Sequence, residues 1–162
     1  MQGISPELLS KYLAALEAVS KRAREWECKV SLRPARQDEL AMLSGLGITD
    51  PVLSLFAAAV PDEMIDFRIR IDSPEDVRVE CEELGPGIDI RPLGFVPIGS
   101  THCGDVYALD YHSPPHADGT PRVLLVSHER GYESAAAVLE HTEERGGSLI
   151  EFLEWAATGE GD

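Results

Sequence analysis

The sequence predicts an α+β protein with an antiparallel β-sheet backed by helices. Three observations lead there. Residues 6–59 repeat apolar side chains at helical spacing, residues 94–127 hold short β-rich runs separated by Gly/Pro turns, and a capped helical segment closes the chain at 148–157. Helices first, then hairpin-linked strands, then a last helix is the order of an antiparallel α+β fold.

Ser5-Pro6-Glu7 is a helix start, with a hydroxyl cap, proline at the first helical position and an acid in the first turn. Leu8, Leu9, Tyr12, Leu13, Leu16, Val19 and Ala23 follow at helical spacing and predict a long amphipathic helix over 6–27. After the Arg33-Pro34 break, Gln37–Leu46 carries Leu40, Met42 and Leu43 and ends at Gly45/Gly47. Thr49-Asp50-Pro51 restarts the chain, and Val52, Leu55, Phe56 and Ala59 give a short third helix closed by Pro61.

"IDFRIRID" (65–72) alternates Ile65, Phe67, Ile69 and Ile71 with charges and predicts one half-buried strand. "SPEDVRVECEELGPG" has two readings. Val77, Val79 and Cys81 alternate as in a strand, whereas Ser73, Pro74 and Asp76 form a helix start, Gly85 is a C-cap, and Val77, Cys81 and Leu84 share a helical face. The helix is preferred. Strands are expected at 94–98, 105–111 and 121–127, the last apolar on both faces as a central strand requires. Residues 134–143 are helix-prone, and Ser148 caps a final helix with Leu149, Phe152, Leu153 and Ala156 facing inward.

The 162 residues suit a single domain, and a net charge of −15 is unevenly placed along it. Residues 1–36 carry seven Lys/Arg against four Asp/Glu, residues 37–127 five against sixteen, and residues 128–162 two against nine. Nucleic-acid binding is disfavoured, because it needs a cationic face that displaces counterions. An acidic body instead attracts cationic partners and speeds their encounter. No run approaches the roughly 20 apolar residues of a membrane span, and the opening MQGISPELLSKYL shows no secretory signal. Cys28, Cys81 and Cys103 are odd in number and lack CxxC spacing, which suits reduced thiols. A cytoplasmic protein without cofactor, membrane or nucleic-acid partner is expected.

The densest chemistry lies in "LGFVPIGSTHCGDVYALDYH" (93–112), with His102, Cys103, Asp105, Asp110 and His112. If 105–111 and 121–127 pair, His112 and His116 lie at one end and His102 and His128 at the other. A seven-residue strand of roughly 20 Å then separates them, so they cannot share an ion whose ligands all sit within about 2.3 Å. No metal site is expected. A Cys103 nucleophile has the right residue types nearby, but neighbours on a strand point to opposite faces, and no helix N-terminus or oxyanion hole is legible. The cluster is expected to be a polar turn and the protein not an enzyme, with Cys103 catalysis as an alternative.

The same stretch resembles the core of the SUKH superfamily, the fold of bacterial toxin-immunity proteins and fungal cell-wall-synthesis regulators. There a strand ending in an apolar-Pro-apolar step leads through a polar turn to a Gly-Asp that opens the next strand, and Gly104-Asp105 and Asp110 match it. "RPARQDELAMLSGLGI", "SPEDVRVECEELGPG" and the closing "SLIEFLEWA" extend the likeness over residues 33–157. In place of the family's Leu-Pro, aromatic, Asn-Gly run stands "ITDPVLSLFAAAVPDE". Residues 1–32 then read as an N-terminal helical extension and 158–162 as an acidic tail.

The resemblance implies protein binding without catalysis, in bacterial members by direct contact with nuclease or deaminase toxins. The expected partner is a cationic protein toxin. Candidate contacts are Glu80, Glu82 and Glu83 on the middle helix, Asp105 and Asp110 around the sheet, Glu129 and Glu133 after it, and Tyr107, Tyr111 and Tyr132 as aromatic anchors, with core or sheet-edge packing the other reading of the three tyrosines. The other expected role is a signalling or scaffold module of the same fold that docks through its basic residues 1–30.

Overall fold

The structure, a computed structural model, describes residues 3–159 and is α+β. Along the chain come α1 (Pro6–Glu25), β1 (Leu32–Arg33), α2 (Gln37–Gly45), α3 (Val52–Ala58), β2 (Val60–Pro61), β3 (Ile65–Asp66), β4 (Arg70–Ile71), α4 (Pro74–Glu82), α5 (Gly87–Ile90), a 3-10 turn (Arg91–Leu93), β5 (Phe95–Ser100), β6 (Val106–Asp110), β7 (Val123–Val126), α6 (Ala135–Glu140), β8 (Thr142–Gly146) and α7 (Leu149–Thr158). β3 to β8 form one antiparallel sheet in sequence order, and β1 pairs with β2 in a small second sheet.

The central strands are buried on both faces, and the period-2 alternation sorts their side chains into two cores. Val96, Ile98, Tyr107, Leu109 and Val123 join the larger core with α1, α2, α3, α4 and α7. Phe95, Val106, Ala108, Leu124 and Val126 join a smaller core with Ile90 of α5, Tyr132 and Val138 of α6. The ladder slips at Pro97/Gly99. Gly99 is needed there because a Cβ would run into the Arg70 carbonyl of β4.

α1 belongs to the larger core. Leu8, Tyr12, Leu16, Val19 and Ala23 are buried along one stripe, and α1 packs chiefly against α7. Tyr12 donates its hydroxyl to the Ala59 carbonyl at 2.7 Å. Ser5 caps α1 by accepting from Leu8 N, and Ser148 caps α7 by accepting from Glu151 N. Phe152 of α7 sits on the sheet with its ring 5.1 Å from Tyr107 and 5.9 Å from Trp155.

Three local expectations are corrected. Residues 65–72 are not one strand but a tight hairpin, closed where Phe67 N donates to Ile69 O. Alternation specified the buried set (Ile65, Phe67, Ile69 and Ile71) but is silent on a reversal of the chain. The helix-prone stretch 134–143 ends at Glu140, and Thr142–Gly146 turns back to pair with β7. Tertiary pairing there overrides the weak β-propensity of "TEERG". The helix over 73–84 is α4, opened by reciprocal bonds between Ser73 and Asp76, but it stops at Glu82, so Leu84 is exposed and does not join Val77 and Cys81 inside. The expected acidic tail falls largely on residues 160–162, outside the described residues.

Phe152→Ala should lower the unfolding free energy by about 3–5 kcal/mol, as for other fully buried aromatics. Urea denaturation checks this. Leu13→Ala, on the exposed side of α1, should change it by no more than about 0.5 kcal/mol.

Candidate functional site

The dense stretch 93–112 is built as β5, a turn over 101–105 and β6. Thr101 N donates to Asp105 O at 2.8 Å, and Thr101 Oγ1 accepts from Cys103 N and Asp105 N. Gly104 adopts φ +101° over the His128 ring. Asp105 Oδ1 accepts from His128 N and lies 2.6 Å from His128 Nδ1, tying the β5–β6 turn to the end of β7. His102 Nε2 lies 2.8 Å from Asp66 Oδ1 and ties the same turn to the β3–β4 hairpin. Both imidazoles are therefore engaged with carboxylates. Among the described residues neither hydrogen-bonds the exposed Cys103 thiol, and no group of three His/Cys/Asp/Glu could hold a metal ion.

At the opposite end of β6, Asp110 is 1% exposed and cannot meet a partner. Its carboxylate accepts from His112 N, Ser113 N and Arg122 Nε, the last at 2.8 Å. Burial alone would raise its pKa. The bonds from Ser113, Arg122 and His112 together outweigh burial and hold the carboxyl below its ordinary value. The residue is a structural pin for the loop that follows β6. Tyr107 is likewise removed from the surface set, because its alternation phase points it into the larger core. Tyr132 is buried and donates to Ser127 O. Tyr111 is half-buried, accepts from Thr49 N, and has its phenol pushed up to about 12 by burial.

α4 divides its acids between two environments. Glu80 is 8% exposed and faces inward, where burial raises its pKa, so it is not a surface contact. Glu75, Glu82 and Glu83 point outward and share one guanidinium, with Arg78 reaching them at 2.7, 3.3 and 2.9 Å. Three carboxylates on one cation leave an acidic surplus. Just beyond, Leu84 and Ile88 are 45% and 46% exposed, joined by the bond from Ile88 N to Leu84 O, with Asp89 next in line. Gly87 permits this close turn, because a Cβ would collide with the Glu80 carbonyl. An apolar pair flanked by surplus carboxylates can anchor and orient a cationic surface. Glu129 and Glu133 are exposed as well, on the segment between β7 and α6.

Two further features escaped sequence reasoning. Glu39, at the start of α2, accepts from both Arg33 Nη atoms and from Arg36 N, and Arg33 also holds Asp62 at 2.6 Å. The hydrogen bonds from Arg33 depress the Glu39 carboxyl to about 2. The motif has a legible signal, an acid three residues into a helix with arginines just before it. The second is Asp72, enclosed beneath α4, for which no local signal exists.

The chain matches no family model, no curated protein and no solved structure with which it was compared.

Glu39 stabilises the fold above its ordinary carboxyl range, and this contribution is lost as pH falls from about 4.5 toward 2. Glu39→Gln should therefore cost about 1–3 kcal/mol at neutral pH and flatten the acid limb of a stability–pH curve. Urea midpoints between pH 2 and 7 test this, and an unchanged acid limb would remove the Arg33–Glu39 pair from the account.

Proposed function

We propose that this chain is a non-catalytic, acidic protein-binding domain that neutralises a cationic protein of nuclease or deaminase type by direct contact. The proposal agrees with the resemblance to SUKH immunity proteins. The observation that carries it is the surface formed by the end of α4 and the start of α5. Glu75, Glu82 and Glu83 share a single Arg78, beside the solvent-exposed Leu84 and Ile88. Apolar anchors within a charged rim are the usual energetic pattern of a protein interface. The charge supplies steering toward a basic partner, since nuclease-type proteins carry cationic grooves for their anionic substrates. No helix among the described residues is long and apolar enough to cross a membrane, and the encounter is proposed to take place in the cytoplasm.

The contact set differs from the one the sequence suggested. Glu82, Glu83, Leu84 and Asp89 form its centre, and Glu129 and Glu133 are separate surface acids. Glu80, Asp110 and Tyr107 support the fold from inside. The scaffold alternative, docking through residues 1–30, loses its simplest test, because removing α1 strips the larger core of Tyr12, Leu16 and Val19. Charge removal at the exposed Lys21 and Lys29 examines it without that damage.

The immobilised chain, challenged with lysate from its source organism, should retain a strongly basic protein that is released by salt and whose nuclease or deaminase activity it inhibits. The triple variant Glu82→Lys, Glu83→Lys, Leu84→Ser should slow association with that protein about tenfold at low salt and reduce its salt dependence. Retained partners that are neutral or acidic, or association kinetics unchanged in the variant, would contradict the reading.

A further inference from the structure

A cavity of about 30 Å³ lies where α1, α2, α3, α4 and α7 converge on strands β4 and β5 of the sheet. It is large enough for a water molecule, which needs roughly 10–15 Å³. Its walls are Tyr12, Leu43, Phe56, Val77, Ile98 and Phe152 among other apolar side chains, and its one acidic residue is Asp72. Asp72 is 6% exposed, and among the described residues neither carboxyl oxygen has a hydrogen-bond partner. Its backbone is fixed, with N donating to Ile98 O at 3.0 Å, and Ser73 directly after it caps α4.

This carboxyl differs from two of the other buried acids. Glu39 has Arg33 and Asp110 has Arg122. The groups acting on Asp72 are Glu80 and Asp76 from α4, which oppose its ionisation, and Arg70 from β4, which favours it. Arg70 also lies 3.6 Å from Asp66. From α1 the titratable wall residue is Tyr12, whose hydroxyl is given to Ala59 O. From α2, α3, β5 and α7 the walls are Leu43, Phe56, Ile98 and the apolar residues of the last helix, none charged. An unpaired carboxylate in such surroundings is strongly disfavoured relative to the neutral acid.

We propose that Asp72 is a proton-operated latch of the helical layer. As a neutral acid it lets α1, α4 and α7 close over the sheet. On ionisation it draws water into the cavity and loosens these helices. The latch stands independently of the binding reading, although α4 carries Glu82 and Glu83 and would transmit the loosening to that surface.

Burial, reinforced by Glu80 and Asp76, raises the Asp72 pKa well above its ordinary value. Between the unfolded-chain value near 3.8 and the folded-state value, the folded protein holds one more proton than the unfolded chain. Its contribution is fully present below the lower value and is lost as pH rises, by about tenfold in the folding constant per pH unit. The sign is opposite to that of Glu39, whose contribution is lost as pH falls.

The test compares wild type with Asp72→Asn, a neutral isostere, by urea unfolding from pH 5 to 9. The wild type should lose stability as pH rises. The variant should keep only the smaller loss that the raised Glu80 carboxyl contributes, and gain about tenfold in folding constant relative to wild type per pH unit until Asp72 ionises in the folded wild type. Parallel profiles would overturn the latch. A second measurement needs no folded variant. Infrared spectra of the folded wild type at pH 6 should contain the carbonyl stretch of a protonated carboxylic acid in an apolar setting, retained in Glu80→Gln and shifting to carboxylate as pH rises. Absence of that band at pH 6 would equally overturn the proposal.

Discussion

A sheet that is apolar on both faces must be covered twice, and this requirement organises the molecule. β5, β6 and β7 send alternate side chains into two cores. The larger face is closed by the α1–α7 pair with α2, α3 and α4, and the smaller by α5, the 3-10 turn and α6. Aromatic contacts among Tyr107, Phe152 and Trp155 fix α7 on the sheet, and α1 lies over α7. The N-terminal helix is thus a covering layer.

The double cover also determines where charge can go. The acids outnumber the bases two to one, 29 to 14, so most carboxylates remain outside with incomplete pairing. Those taken inside follow two patterns. Glu39 and Asp110 are clasped by arginines and backbone N–H groups and hold segments in place. Among the described residues Asp72 has no such clasp, and Glu80, also raised by burial, has no arginine bridge. The first kind favours neutral pH and the second an acidic one, so the two impose opposing pH dependences on a single fold.

Much of this was legible in the sequence, for identifiable reasons. Caps at Ser5, Ser73 and Ser148 are local chemistry and locate three helix starts. The doubly apolar run Val123–Val126 is a central strand because period-2 patterning leaves no polar face. The hairpin within 65–72 was not legible, since Asp66, Arg68 and Arg70 fall at the same alternate positions in either geometry. The same reversal hid Asp72, which an unbroken strand would have put on the charged face opposite Ile71. Residue type makes Asp110 a surface candidate and leaves Tyr107 open between anchor and core, whereas burial is set by strand phase and by Arg122. Gly85 as a C-cap places Leu84 on the inward face, whereas α4 stops at Glu82.

The claim that α1 is part of one doubly covered folding unit is tested most directly by native-state amide hydrogen exchange. Buried amides of α1 around Leu16 and Val19 should open only with the global unfolding that exposes Phe152 of α7 and Leu109 of β6. Exchange of α1 through a separate, lower-energy opening, with α7 and the sheet still protected, would show that the helix is an appendage and contradict the account.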